Sequence, residues 1–290
     1  MKSTQQRGQM LILVLWIMGL LSAAMGVLVM RSTHELRLGR FPLTLVQQRS
    51  VAEAAVWQAA ALISHDDPAV DHLKEPWATG VDPQTEQQLL GSIPIGEGAF
   101  TIGVEDSEGV HIGLVDEQRK LNLNTAAVGH LAHLIEAVGP SGTPAQGIAD
   151  AILDWRDEPV GSACASATPP CHNGPFDTVD ELRLVPGMTP ALFDALQPYV
   201  TVYGAGAINV NTASAVVLNT VGAPGDDWVQ QRDEGRHPFT TSPQPGNLLL
   251  TVTSTQFTVP VETTLRSTSR TTHLEAIIDR EGHILAWHPR

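Results

Sequence analysis

The sequence predicts an α+β protein, in which a long N-terminal helix packs on an antiparallel sheet and a large all-helical insertion interrupts that sheet. Three observations lead there. An uncharged apolar run, Met10 to Met30, passes into a helical apolar pattern that ends at Ser64. Strict alternation of apolar and polar residues begins at Ala99, and strand-like runs return near the C-terminus. Between two near-identical short strands lies a compact stretch with helix-start signals.

Charge is distributed unevenly over the 290 residues, of which 42% are hydrophobic and 17% charged. That composition supports one sizeable core with a smaller second lobe. Residues 1–40 carry Lys2, Arg7, Arg31, Arg37 and Arg40 against the single acid Glu35, and the remainder holds 12 Lys/Arg against 30 Asp/Glu, a net charge of −18. Such a region repels phosphate backbones and attracts cations, so charge argues against nucleic acid as a partner and is compatible with bound calcium.

Met10–Met30 has the length of a membrane span, roughly 30 Å at about 1.5 Å per residue, and Lys2 and Arg7 before it favour a cytoplasmic N-terminus. Three readings compete. A secretory signal peptide has a shorter apolar region, and Ala23-Ala24-Met25 offers only a weak cut. A plain signal anchor fits the hydropathy equally well. The third reading rests on Arg7-Gly8 directly before the run, which resembles the short basic leader of type IV prepilins and pseudopilins. That resemblance implies cleavage after Gly8 by prepilin peptidase and methylation of the new N-terminus, Gln9. Gln9 departs from the family's apolar first residue, and Leu13 stands where the family's fifth-position glutamate is expected. An intramembrane carboxylate is kept where it has a partner, so its loss points to the first, tip-most subunit.

Beyond the membrane, Leu45, Ala52, Val56, Ala59 and Ile63 continue the helix to the polar stop Ser64-His65-Asp66-Asp67-Pro68. Residues 65–97 read as a connector rich in proline and glycine. Strands follow at Ala99–Glu105 and Val110–Val115. Lys120-Leu-Asn-Leu-Asn-Thr-Ala is then echoed by Ala207-Ile-Asn-Val-Asn-Thr-Ala, with Thr125 and Thr212 expected to cap the helices after them. Val128, Leu131, Leu134, Ile135 and Val138 form one helix face ended by Gly139-Pro140. Thr143-Pro144 opens a second helix with Ile148, Ile152 and Trp155 on one side. Asp177 with Asp180 resembles a capping box before Leu182 and Leu184, and Thr189-Pro190 opens a last helix with Leu192, Phe193 and Leu196. Strand-like runs close the chain at 248–261 and 273–287.

The only two cysteines, Cys164 and Cys171, lie in one short loop without a second Cys or His pair to complete a metal site. A disulfide closes that loop if the compartment is oxidising, and two unpaired thiols are the alternative.

Asn122-Leu-Asn-Thr, Ala151-Ile-Leu-Asp-Trp-Arg-Asp, Asn173-Gly-Pro-Phe-Asp-Thr-Val-Asp-Glu-Leu, Tyr199-Val-Thr-Val-Tyr-Gly and Ile208-Asn-Val-Asn-Thr, together with the missing glutamate at Leu13, resemble the general secretion pathway protein K family, minor pseudopilins of type II secretion. The resemblance covers roughly residues 1–220. It implies a pilin-like fold with leader 1–8, transmembrane helix half 9–30, periplasmic helix half 31–64, first α/β part 65–123, helical insertion 124–206 and second α/β part 207–290. It also implies an inner-membrane protein with a periplasmic ectodomain, no enzymatic role, and a place at the pseudopilus tip. The partners implied are the I-type and J-type minor pseudopilins, the major pseudopilin, prepilin peptidase and the inner-membrane assembly platform. Calcium binding belongs to the family. By residue type Asp154, Asp157, Glu158 and Asp177 are its candidate ligands, against the reading that these acids are solvated and Asp177 is a helix cap.

Enzyme signatures are missing from the sequence: no His-Glu-x-x-His, no Gly-x-Ser-x-Gly and no phosphate loop. His130 and His133 share a helix face without a third ligand. The rival is Leu184-Val-Pro-Gly-Met-Thr, which resembles the hairpin of helix-hairpin-helix DNA-binding modules and would make the chain a membrane-anchored DNA receptor; the charge of −18 stands against it.

Overall fold

The computed structural model describes residues 3–106, 109–157, 172–235, 237–244, 246–247, 249–266 and 271–289. Helix α1 spans Ser3–Ser64 and α2 Pro76–Thr79, followed by β1 (Ile93–Ile95), β2 (Gly98–Asp106), β3 (Gly109–Ile112), β4 (Val115–Asp116) and β5 (Leu121–Asn122). Then come α3 (Val128–Val138), α4 (Ala145–Arg156), α5 (Pro190–Leu196), β6 (Val200–Thr201), β7 (Ile208–Asn209), α6 (Ala215–Thr220) and α7 (Gly225–Glu234). Strands β8 (Leu250–Thr251), β9 (Gln256–Leu265), β10 (Thr271–Asp279) and β11 (Ile284–Pro289) complete the chain.

Two compact units divide at Val51. In the first, Leu13–Met30 is long and apolar enough to cross a membrane, and none of it is buried. In the second, the end of α1 buries Ala52, Ala55, Val56, Ala59, Ala60 and Ile63, a stripe at helical spacing made mostly of small side chains. Small residues permit close approach: a Cβ added at Gly282, between β10 and β11, would lie 3.2 Å from that of Ala60. The helix stops at the polar residues expected of it. Ser64 Oγ donates to the Ala61 carbonyl at 3.0 Å, and His65 Nδ1 lies 2.7 Å from the same oxygen. These contacts serve carbonyls that the helix end leaves unpaired.

The main sheet is antiparallel, in the order β1-β2-β9-β10-β11, with β3 on β2 and β4 on β9. Its alternating inward residues, Phe100, Ile102, Phe257, Val259, Val261, Ala276 and Ile278, are buried. Trp77 of α2 meets Phe257 edge-on at 5.1 Å. Gly113, at φ 138°, brings the backbone against the carbonyl of Ala78, where an added Cβ would sit at 2.2 Å.

Val115 pairs with Thr258 and Asp116 with Phe257. The chain therefore leaves the sheet after Asp116 and rejoins it directly opposite, at Gln256. Everything between is inserted at one point of the sheet. The sequence placed the return to sheet at residue 207, yet β7 is followed by α6 and α7 before the chain comes back. The six residues of α6 are too few to show a period, and α7, Gly-Asp-Asp-Trp-Val-Gln-Gln-Arg-Asp-Glu, buries little beyond Arg232. One continuous hydrophobic core holds the insertion, from Leu121 through Leu134, Ile152, Phe193 and Val200 to Val217, Leu218 and Leu250.

Several capping expectations need correction. Helix α3 starts from Ala127 with no side-chain cap, and α6 is capped by Ser214, whose Oγ accepts from Val217 N at 3.4 Å. Thr212 instead turns its hydroxyl to Asp116. Thr143 donates to the Pro140 carbonyl at 2.6 Å, so it closes a turn rather than capping α4. The box before Leu182 sits one residue later than Asp177/Asp180: the Glu181 carboxylate accepts from the amides of both Asp177 and Thr178. Thr189 does cap α5, accepting from Leu192 N at 3.2 Å.

Candidate functional site

The insertion is built from one structural unit used twice. In the first copy, Asn122 Oδ1 accepts from Asn124 N at 2.8 Å, while Ala126 N donates to the Asn122 carbonyl at 2.9 Å. In the second, Asn209 Oδ1 accepts from Asn211 N at 2.9 Å and Ala213 N donates to the Asn209 carbonyl at 2.9 Å. These are Asx-type turns, in which the side chain replaces a backbone partner and sends the strand sharply into the next helix.

Each turn is closed by an arginine from the second helix of its unit. Arg156 Nη1 donates to the carbonyls of Leu123 and Ala126 at 2.8 and 3.0 Å. Arg232 Nη1 donates to those of Val210 and Ala213 at 3.1 and 2.6 Å. The Nε of each meets the aspartate that follows it, Asp157 at 2.9 Å and Asp233 at 3.1 Å. Each copy then forms a parallel strand pair in the same register, Asn122 opposite Thr201 and Asn209 opposite Thr251. Each copy also holds a tryptophan-phenylalanine pair, Trp155 with Phe176 and Trp228 with Phe239, with ring centroids 6.5 and 6.1 Å apart. The echo of Asn-x-Asn-Thr strands was visible in the sequence; the arginines and phenylalanines that complete it were not singled out. Arg-Asp-Glu at 156–158 and 232–234, and Pro-Phe at 175–176 and 238–239, are the signals that would have found them.

Two adjacent buried acids join the copies to the sheet. Asp116 accepts from Ser254 Oγ at 2.6 Å, from Thr212 Oγ1 at 2.5 Å and from Gln118 N at 2.8 Å. Glu117 accepts from Thr258 Oγ1 at 2.6 Å, Lys120 Nζ at 2.7 Å and the Thr201 hydroxyl. Asp116 thus holds the second copy, and Glu117 ties the first to β9. Burial pushes Asp116 up to about 6, against its three donors. Burial acts on Glu117 in the same sense, but the Lys120 ammonium and the hydroxyls outweigh it and hold that carboxyl below its ordinary value.

The predicted site residues are placed as follows. Gly8 and Gln9 fall inside α1, and Leu13 is exposed. Asp154 and Asp157 stand at the end of α4, with Asp157 taken by Arg156. Asn173 N donates to the Trp155 carbonyl at 2.9 Å, which returns the segment carrying exposed Asp177 to that helix end. Glu158, Cys164 and Cys171 lie outside the described residues. Among the described residues, the groups that bring three possible ligand atoms within 4.8 Å are others: Asp279, Glu281 and His283, and Asp66, Asp71 and Glu75. In the former, His283 Nδ1 and Asp279 bind each other at 2.9 Å; in the latter, the guanidinium of Arg280 already supplies a cation. The hairpin Val185-Pro186-Gly187-Met188 forms with Gly187 at φ 86°, but Asp180 and Asp194 lie 3.3 and 4.0 Å from Arg183 beside it. These acids oppose a phosphate there.

Three comparisons bear on this architecture. The family model described as type II secretion system (T2SS) protein K matches residues 112–205, the first copy of the unit with its stem. Type II secretion system protein K of Klebsiella pneumoniae is 28% identical over 233 residues, 71% of this chain and 66% of that relative, a little under two thirds of its length. A chain of the crystal structure of the GspK-GspI-GspJ complex from the enterotoxigenic Escherichia coli type 2 secretion system superposes with a TM-score of 0.63 at 20% identity, covering 87% of this chain and 97% of that one, and so shares its fold. The matched unit and the aligned relative agree: the chain is similar to type II secretion system protein K, and it shares its fold with a chain of the GspK-GspI-GspJ complex.

Proposed function

We propose that the chain is a structural part of a type II secretion machine, a minor pseudopilin that sits at the tip of the periplasmic pseudopilus and helps start its assembly. The observation that carries this reading is the shared fold with a chain of the GspK-GspI-GspJ complex across nearly the whole of that chain. The partners are accordingly I-type and J-type minor pseudopilins, with the major pseudopilin below them. The exposed apolar span Leu13–Met30 anchors the chain in the inner membrane with its N-terminus cytoplasmic. Prepilin peptidase cuts between Gly8 and Gln9, and Gln9 is then methylated. Leu13, four residues on, presents no carboxylate to a subunit above it, as suits a first subunit.

The candidate calcium ligands are Asp154, Asp157, Glu158 and Asp177, with Arg156 competing for Asp157. N-terminal sequencing after co-expression with prepilin peptidase tests the processing step. A start at Gln9 supports the reading, and an uncut chain opposes it.

A further inference from the structure

The loop between α1 and α2 carries Asp66, Asp71 and Glu75, with an oxygen of each within 4.8 Å of the others. One guanidinium pairs with two of them. Arg280, in the β10–β11 turn, donates through Nη2 to Asp71 and places Nη1 3.5 Å from Asp66 Oδ2. Asp71 is fully buried; its carboxylate also accepts from Ser254 N at 2.6 Å, and its carbonyl accepts from Asn209 Nδ2 at 3.2 Å. This loop therefore ties the root of the long helix to the sheet and to the second copy of the inserted unit.

The charges do not balance if every acid is ionised, since three carboxylates face one guanidinium. His72 lies 3.9 Å from Glu75, but burial and the nearby Lys74 lower its affinity for a proton, so it offers no second cation. Asp116, beyond Asp71, adds more negative field. The hydrogen bonds are slack as well: Asp66 Oδ2 and Arg280 Nη1 are both buried without a closer partner and face each other at 3.5 Å, while Glu75 Oε2 accepts from His72 N at 2.8 Å and Trp77 Nε1 at 2.7 Å. An acid proton held within the cluster cancels one charge and supplies a donor.

We propose that Asp66, Asp71 and Glu75 share one proton against Arg280, and that this proton latches the loop after α1 onto the sheet and the second inserted unit. Burial, reinforced by the charges of Asp66 and Asp71, raises Glu75 to about 7, and burial raises Asp66 and Asp71 as well. The folded protein thus binds a proton that the unfolded chain has released between the ordinary carboxylate range and neutrality. Stability is gained on the acid side and is lost as pH rises towards and through 7.

The test is the melting temperature of the full chain in detergent micelles, followed from about pH 5 to about pH 8. The wild type is expected to lose several degrees, with a midpoint at about pH 6 and a plateau above about pH 7, and Glu75→Gln to lose that step. Asp66→Asn removes one of the charges that raise Glu75, and is expected to shift the midpoint down. A wild-type profile that rises across this range, or one that Glu75→Gln leaves unchanged, overturns the latch. If Glu75→Gln does not fold, an unmoved midpoint in Asp66→Asn overturns it instead.

Discussion

Asn124 pairs with the backbone of Phe176 through both ends of its amide: Oδ1 accepts from the Phe176 N–H at 2.7 Å, and Nδ2 donates to the Phe176 carbonyl at 3.0 Å. Asn211 holds Phe239 in the same way, at 2.8 and 2.9 Å. No other side chain of this size offers a donor and an acceptor in that geometry. The two asparagines thereby pin the loop after each second helix onto the strand that begins the unit.

Removing either amide strands two backbone groups. Asn211 is buried while Asn124 is partly exposed, so water rescues the Asn124 site better than the Asn211 site. Asn211→Ala is expected to lower unfolding stability by about 2–3 kcal/mol and Asn124→Ala by about 1–2 kcal/mol. Urea denaturation of the two variants checks the order; equal losses, or a larger loss at Asn124, would show that burial does not set the cost.

Asp116 makes a pH prediction of definite sign. Its carboxyl lies near 6 in the folded protein against an ordinary value of 3.8, chiefly because it is buried. The folded state therefore holds a proton that the unfolded state has lost between those values, and stability falls as pH rises through that window. The expected contribution is about 2–3 kcal/mol. Replacing Asp116 with Asn should flatten the stability profile between about pH 4 and pH 6, since the Thr212 and Ser254 hydroxyls can turn to accept from the amide. A profile as steep as the wild type's would remove Asp116 as the cause.

At the N-terminus the prediction is functional. If Leu13 marks a subunit with no neighbour above it, Leu13→Glu brings no gain in incorporation into pseudopili and carries the expense of an unpartnered carboxylate in the membrane. Crosslinking of assembled fibres measures incorporation. A clear gain would place the subunit below the tip.

The fold was legible where one local rule decided it. The apolar face of α3 spans Val128 to Val138 as read, because every core-facing position is occupied by an apolar residue at helical spacing. Thr189-Pro190 started α5 because a threonine cap and a proline agree there. The polar stop at Ser64 ended α1. Legibility failed where a residue's partner lay far along the chain. Thr212 looks like a cap, yet its hydroxyl serves Asp116, 96 residues earlier. Asp116 and Glu117 look like surface charge and are buried at the junction, because their donors come from the insertion and β9. Arg232 sits on a helix with almost no apolar face, so nothing local marks it as the closure of a turn. The Asn-x-Asn-Thr echo was readable as a repeat, but of the helices in its second copy α6 is only six residues long and α7 is too polar for periodicity to show.

The central claim is that this chain assembles with the other minor pseudopilins at the head of a pseudopilus. Its most direct test is co-expression of the full chain with its cognate I-type and J-type subunits, followed by size-exclusion chromatography in detergent. The account predicts a single ternary species containing all three chains. Elution of this chain apart from a complex formed by the other two would contradict it.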